Sequence, residues 1–447
     1  MACCVFEYGG VTPAAWNDCL AALCLVFVAF WLTGSAGRFA PPLGAPLLIL
    51  LILMPACAAL QLLPLPFPAM RALDPARADL ATAVSKIVPH PTSIPISVAP
   101  SVTLAHLARI LAYILVFFLV RELTWRFARR PWITAVPIVC IATVESALGL
   151  AQYFSGAAAT GTYVNPDHFA GLLEMTLPFA VMPMLFNSRR RQPDRFSSMS
   201  WTLLVCLSLV CSASIFLGLL YSLSRMGLAA GLVALAILLG LSASRTGSPR
   251  RRIVVGAGIP AVLLLLVVFI VPGPLLDRLA GTHMGGGVTA EARVQFWKET
   301  WRLIAEHPLF GCGLGTYASA IQKYRASAPL GLLEFAHNDY LQLLAELGAV
   351  GFSVFFAAGA LCLAQAFRAS LDNPESRSRY LAIACAASLS AIALHGLVDF
   401  NFYIPANAMI AAWSAGIAGA LSVTAPRRSR DLRAKAQADA RSIPGIV

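Results

Sequence analysis

Charge is what this sequence lacks. Charged residues fill 12% of its 447 positions, against about 25% in a soluble globular protein, and the mean hydropathy is +0.75. That deficit excludes an ordinary water-soluble enzyme and points to an integral membrane protein. Short alternating apolar and polar runs, which barrel strands require, are missing too. The apolar runs are long and continuous, as a polytopic helical bundle needs. Cysteine pairs at metal or redox spacing are absent. The eleven cysteines are scattered singly or as Cys3-Cys4, mostly inside apolar runs, which suits small buried hydrophobes and excludes a disulfide framework or zinc site. Only Cys312 falls in a long polar segment. No repeat of fixed period, no DxD motif and no dense carboxylate cluster is visible. The first apolar run, near 16–33, has neither a basic region nor a small-residue cleavage site before it, so it is expected to stay as a helix.

What the chain has in excess is positive charge, a net +12, and its placement says why. Arginines cluster over Arg121–Arg130, at Arg189, Arg190, Arg191 and Arg195, at Arg245 and Arg250 to Arg252, at Arg368, Arg377 and Arg379, and in the tail from Arg427 to Arg441. These clusters alternate with nearly neutral loops, so the positive-inside rule puts them and the C-terminus in the cytoplasm. The charge is topology, and no nucleic-acid partner is expected. Helices are expected near 16–33, 43–62, 104–120, 132–152, 168–186, 201–221, 226–243, 253–272, 340–366, 380–399 and 405–424. Eleven helices with a cytoplasmic C-terminus place the N-terminus outside. The domain organisation that follows is 1–272, N-terminal transmembrane helices with an external loop near 63–103; 273–337, a large external loop; 338–425, C-terminal transmembrane helices; and 426–447, a basic cytoplasmic tail. Inside the large loop, Phe296, Trp297, Trp301 and Ile304 share one helical face while Lys298, Glu299, Arg302 and Glu306 fall elsewhere. That pattern predicts a helix lying at the outer membrane–water interface. The Gly311, Gly313 and Gly315 spacing predicts a turn, because no strand–helix phosphate loop surrounds it.

On this orientation the polar residues gather at the external mouth of the bundle. His337, Asn338 and Asp339 stand where a helix enters the membrane. An N-cap explains Asn338 or Asp339, since a side-chain oxygen there accepts an orphaned backbone N–H; it does not explain the histidine. Arg225, in "YSLSRMGLAAG", sits between two apolar runs joined by almost no loop. An unpaired arginine in hydrocarbon costs about 2.5–3.5 kcal/mol on insertion scales; snorkelling to the interface is the plainer alternative. Arg293 opens the loop helix, where a simple surface charge is the alternative. Asn165, Asp167 and His168 repeat the pattern of polar groups before an entering helix. His106 and Arg109, three apart, share a helical face, and Asp399 and Asn401 close another external helix end.

Five stretches in this order, "GTYVNPDHFAGLLEMTLPFA", "SLSRMG", "RVQFWKETWRLIAEHPLFGCGLGTYASAIQKY", "HNDYLQLLAELGAVGF" and "HGLVDFNFYIPAN", resemble the O-antigen ligase and polymerase family of bacterial envelope glycosyltransferases. The resemblance covers roughly residues 100 to 425, and the His-Asn-x-x-Leu-Gln stretch followed by Gly-x-x-Gly is its most specific part. It departs at Cys312, where the family often has histidine or another polar residue. The resemblance implies an all-α, GT-C-like membrane bundle of about 11–12 helices with a large periplasmic loop containing amphipathic helices. It further implies transfer of a glycan from undecaprenyl diphosphate to lipid A–core on the periplasmic side of the inner membrane. His337 matches the family's catalytic histidine, and Arg225 and Arg293 its two arginines. Asn165, Asp167, His168, Arg109, Asn338 and Asp339 are then acceptor-side or supporting positions. The chemistry suits these residue types: arginine forks match a diphosphate and keep their charge, and histidine takes a proton near neutrality. The expected reaction is inverting and needs no metal or other cofactor. A polymerase or a protein O-oligosaccharyltransferase of the same family, and a membrane transporter from another class, stand as alternatives.

Overall fold

A computed structural model describes residues 1–33, 39–85, 92–187, 198–243, 290–326 and 332–422. The chain opens with α1 (Ala2–Phe6) and α2 (Pro13–Leu32), the latter started by proline in its first turn and by Thr12, whose side chain accepts from the Ala15 N–H. α3 (Ala45–Leu60) leads into a loop holding β1 (Pro64–Pro66), α4 (Phe67–Leu73), α5 (Pro75–Val84) and β2 (Ser93–Pro95). The two strands pair antiparallel, Leu65 opposite Ile94. Then follow α6 (Pro100–Arg126), α7 (Val136–Phe154), α8 (Pro166–Asn187), α9 (Ser198–Tyr221), α10 (Arg225–Ala243), α11 (Ala290–Glu306), α12 (Tyr317–Ala320), α13 (Asp339–Asp372) and α14 (Ser376–His395). Helix α15 runs over 405–422.

The protein is an all-α polytopic membrane protein. Among the described residues, eight helices are long and apolar enough to cross a bilayer, and the 16-residue α3 is a shorter apolar helix. Together with α15 they account for ten of the eleven expected helices; the one expected at 253–272 lies outside the described residues. Helices α8 and α14 are the most enclosed, and α8 packs against α7, α9, α10 and α14. Small residues permit the close approach, as lipid-embedded helices require: Gly227 of α10 rests on Ala170 of α8, and Gly218 of α9 on Leu173. Peripheral α2 and α9 expose Leu25, Val26, Leu203 and Leu207, a surface that only lipid makes favourable.

The connections 155–165, 222–224 and 396–404 share one end of the bundle. The N-terminus joins them, with the Thr162 hydroxyl bonded to the Val5 carbonyl at 2.8 Å and Gly9 against Tyr163. At the other end, Arg377 reaches the Arg129 carbonyl, bringing two arginine-rich loops together. The arginine clusters at 189–195, 245–252 and 427–441 lie outside the described residues.

α13 is longer than expected and interrupted. At Gly348 the backbone swings to φ 61° and ψ −174°, and the segment 308–314 straps across the break. Ala349 and Val350 donate to the carbonyls of Pro308 and Leu309 at 2.8 and 3.1 Å, while Cys312 and Gly313 donate to Ala345 and Glu346, each at 3.0 Å. A Cβ on Gly348 would collide with Leu309 backbone, and one on Gly311 with Glu346 backbone. The glycines thus serve a close backbone crossing, in keeping with the expected turn. Gln61, from the first loop, fastens the same place: its amide donates to the Phe310 and Glu346 carbonyls and accepts from Leu314 N–H at 2.9 Å.

The loop helix α11 differs from its expected polar pattern. Glu299 does not face outward. It is fully buried, paired with Arg325 at 3.2 Å, beside buried Thr300 and Leu303. Trp301 points outward instead, 55% exposed. A helical wheel assigns every charge to water, and a partner 26 positions away in sequence overrides it here.

Candidate active site

His337 ends the loop that leads into α13. Its φ of 50° lies in the left-handed region, unusual for a residue with a side chain and frequent at functional turns. Asn338 then caps the helix, its side-chain oxygen accepting from Tyr340 and Leu341 N–H at 3.0 Å each, while its amide donates to the Leu397 carbonyl. The cap is therefore Asn338. Asp339 lies inside the packing: its N–H donates to both Gly396 and Asp399 carbonyls, and its carboxylate accepts from Phe402 N–H. Gly396 has no side chain because one would press on the Asp339 carboxylate.

This pinning sets Asp399 behind the His337 ring. The imidazole Nδ1 stands 3.4 Å from one Asp399 oxygen; His168 Nε2 and His395 Nε2 each stand 3.8 Å from the other. Burial by itself pushes the Asp399 carboxyl up, but contact from His337 and the positive character of His168, His395 and His337 prevail and hold it below the usual carboxylate range. Asp399 is thus held toward its charged form. Aromatic rings wall the site: Phe400 meets His168 and His337 edge-on at 4.5 and 5.0 Å, and stacks on Phe335 at 3.9 Å. Phe296 of α11 stacks near His337 at 6.3 Å, and Trp297 donates to the Ala336 carbonyl. Among the described residues, no three His, Cys, Asp or Glu side chains stand in metal-binding arrangement.

Of the other expected residues, His168 reaches the centre directly. Asn165 caps α8, accepting from Asp167 N–H at 2.8 Å, and Asp167 follows in the first turn. Arg225 is exposed at the start of α10, after the three-residue connection 222–224; that first turn rests on Ala170, two residues from His168. Arg293 lies on α11 one turn before Phe296, with its Nε buried. Arg109 lies apart, in α6, over the Trp16 ring at 5.5 Å and 3.4 Å from His106. His106 nears the centre only through Tyr403, ring centroids 6.4 Å apart.

Sequence reasoning missed Glu174 and His395. Both lie in quoted motif stretches, and His395 Nδ1 meets Glu174 Oε2 at 2.9 Å. The available signal was an ionisable residue within a transmembrane run, a functional candidate by default. The polar cluster consequently reaches about two turns into α8 rather than staying at the surface.

Residues 207–356 match the family model described as O-antigen ligase. The match supports an O-antigen ligase-family protein. No curated protein matches it. The matched region takes in Arg225, Arg293, His337 and the break in α13, and ends before Asp399. That match supports glycan transfer of the O-antigen ligase or polymerase type in general, with a lipid-linked glycan and an acceptor as substrates, by a multi-pass membrane protein.

Proposed function

We propose that this O-antigen ligase-family protein transfers a glycan from undecaprenyl diphosphate to a hydroxyl of lipid A–core, on the periplasmic face of the bacterial inner membrane. The observation that carries this reading is the buried Asp399 carboxylate set 3.4 Å behind His337 at a helix entrance, with the first turns of α10 and α11 carrying Arg225 and Arg293. Asp399 beside Nδ1 favours the imidazole tautomer with its proton there, which leaves Nε2 as base. The carboxylate then stabilises the imidazolium that forms. The acceptor oxygen attacks the anomeric carbon from the face opposite the diphosphate and inverts it. Its proton passes to His337 Nε2, and the electron pair of the breaking glycosidic bond goes to the undecaprenyl diphosphate oxygen. Arg225 and Arg293 supply fixed positive charge where that negative charge grows, and such electrostatic stabilisation is among the strongest effects a site can provide.

Transport is the weaker reading. Beyond Glu174 the enclosed part of α8 is largely apolar, with Leu177, Phe179, Ala180 and Met182 all buried, which does not suit a polar path. The test is the purified protein in detergent with an undecaprenyl-diphosphate glycan and lipid A–core, reading undecaprenyl diphosphate release and product mass with and without chelator. A core-linked product formed in chelator is expected. Elongated lipid-linked glycan without core attachment makes the protein a polymerase. No joined product with either acceptor removes the ligase assignment.

A further inference from the structure

We propose that Glu174 and His395 form a buried positioning pair that holds Asp399, and through it His337, in working orientation. The inference rests on the base role of His337 proposed above. Glu174 is 0% exposed and His395 1%. The pair joins α8 to the last residue of α14 at 2.9 Å, and the free imidazole nitrogen Nε2 faces Asp399 Oδ2 at 3.8 Å. Asp399 Oδ1 in turn faces His337. The order Glu174, His395, Asp399, His337 therefore runs from the bundle interior to its mouth.

Chemistry gives the pair a task. With two protons shared between Glu174 and His395, Nε2 carries one of them whichever group holds the other. In that state a hydrogen faces the Asp399 carboxylate from 3.8 Å, which favours its charged form and biases which oxygen turns toward His337. Neither Asp399 oxygen has a hydrogen-bond partner among the described residues; His395 and His168 both face Oδ2 at 3.8 Å, and of the two only His395 is itself held by a buried carboxylate. Its backbone is already fixed by Asp339, so the side chain is what remains to be oriented.

Helix cohesion is a poor explanation for the pair. Leu172, Leu173 and Met175 beside Glu174 are fully buried, and α14, which packs on α8, carries buried Ala382, Ala384, Ala386, Ala387 and Ala391. A buried ion pair in such surroundings is often replaceable by apolar residues without loss of stability. Its retention next to a candidate reacting centre is better explained by orientation of that centre.

The test is a double-mutant cycle in the full-length protein, following undecaprenyl diphosphate release. Glu174→Leu should lower kcat at least tenfold per folded protein, with KM for the lipid-linked donor within about twofold. Glu174→Gln, which can still orient the imidazole, should recover part of that loss. In the His337→Ala background Glu174→Leu should have no further effect, because the pair acts through His337. Equal loss in both backgrounds, or a loss confined to KM or thermal stability, overturns the inference. If His337→Ala itself keeps full turnover, the base assignment fails first, and that result is distinguishable from failure of the pair alone.

Discussion

Two buried carboxylates at the same end of this bundle are treated in opposite ways. Glu346 accepts from Gly315 N–H at 2.7 Å, Tyr317 N–H at 3.2 Å, Tyr403 hydroxyl at 2.8 Å and Gln342 amide at 3.3 Å. Asp399 accepts none of these well-formed bonds and faces imidazoles at 3.4–3.8 Å. The first is a bolt: it fastens the 308–317 strap and the 396–404 turn to α13 where the helix breaks. The second is a poised charge. A saturated carboxylate is worth stability and has little capacity left for changing partners; an under-saturated one can strengthen a contact when charge develops beside it. Catalytic hydrogen bonds are commonly long before substrate binds.

The largest effects should come from the poised side. His337→Ala should cut kcat by about 10²–10⁴, the usual worth of a general base. Asp399→Asn should lose a similar amount, because its amide can set the wrong imidazole tautomer. Both variants should keep near-native unfolding temperatures in detergent. A variant of either that unfolds instead would make Asp399 a second bolt and erase the contrast.

Glu346→Ala should behave inversely. It strips the acceptor from two backbone N–H groups and a tyrosine hydroxyl, each orphaned buried group costing about 1–3 kcal/mol. A marked fall in unfolding temperature is expected, with residual turnover tracking the folded fraction. Arg225→Lys should be milder than either. Lysine keeps the charge and loses the fork, so KM for the donor should rise severalfold while the fold is unaffected. Unchanged donor kinetics would remove Arg225 from the diphosphate.

Much of this architecture is legible in the sequence because lipid writes it there. The continuous apolar runs mark helices, and from α6 onward arginine clusters mark one end of them. The motif around His337 was legible because a histidine has no structural reason to precede a capped helix. Other features depend on partners that no local pattern announces. Glu174 and His395 are 221 positions apart, and an apolar run conceals that they meet. Glu299 looked solvated until Arg325 was brought to it. The break at Gly348 was hidden because a single glycine inside an apolar run still suits a helix, and only the crossing of 308–314 requires the turn.

The smallest effect concerns Cys312, inside the bolt. Its thiol is fully buried, its N–H is bonded to the Ala345 carbonyl, and burial pushes it up to about 12. The thiolate is the reactive species, so Cys312 should resist maleimide at neutral pH while exposed Cys3 is labelled, as read by peptide mass spectrometry. Glu346→Ala should raise Cys312 labelling well before global unfolding, because it releases the strap that shields the thiol. Asp399→Asn should leave it unchanged. Labelling of Cys312 in the Asp399 variant would mean that the two carboxylates belong to one cooperative unit, and that the separation between bolt and poised charge is only apparent.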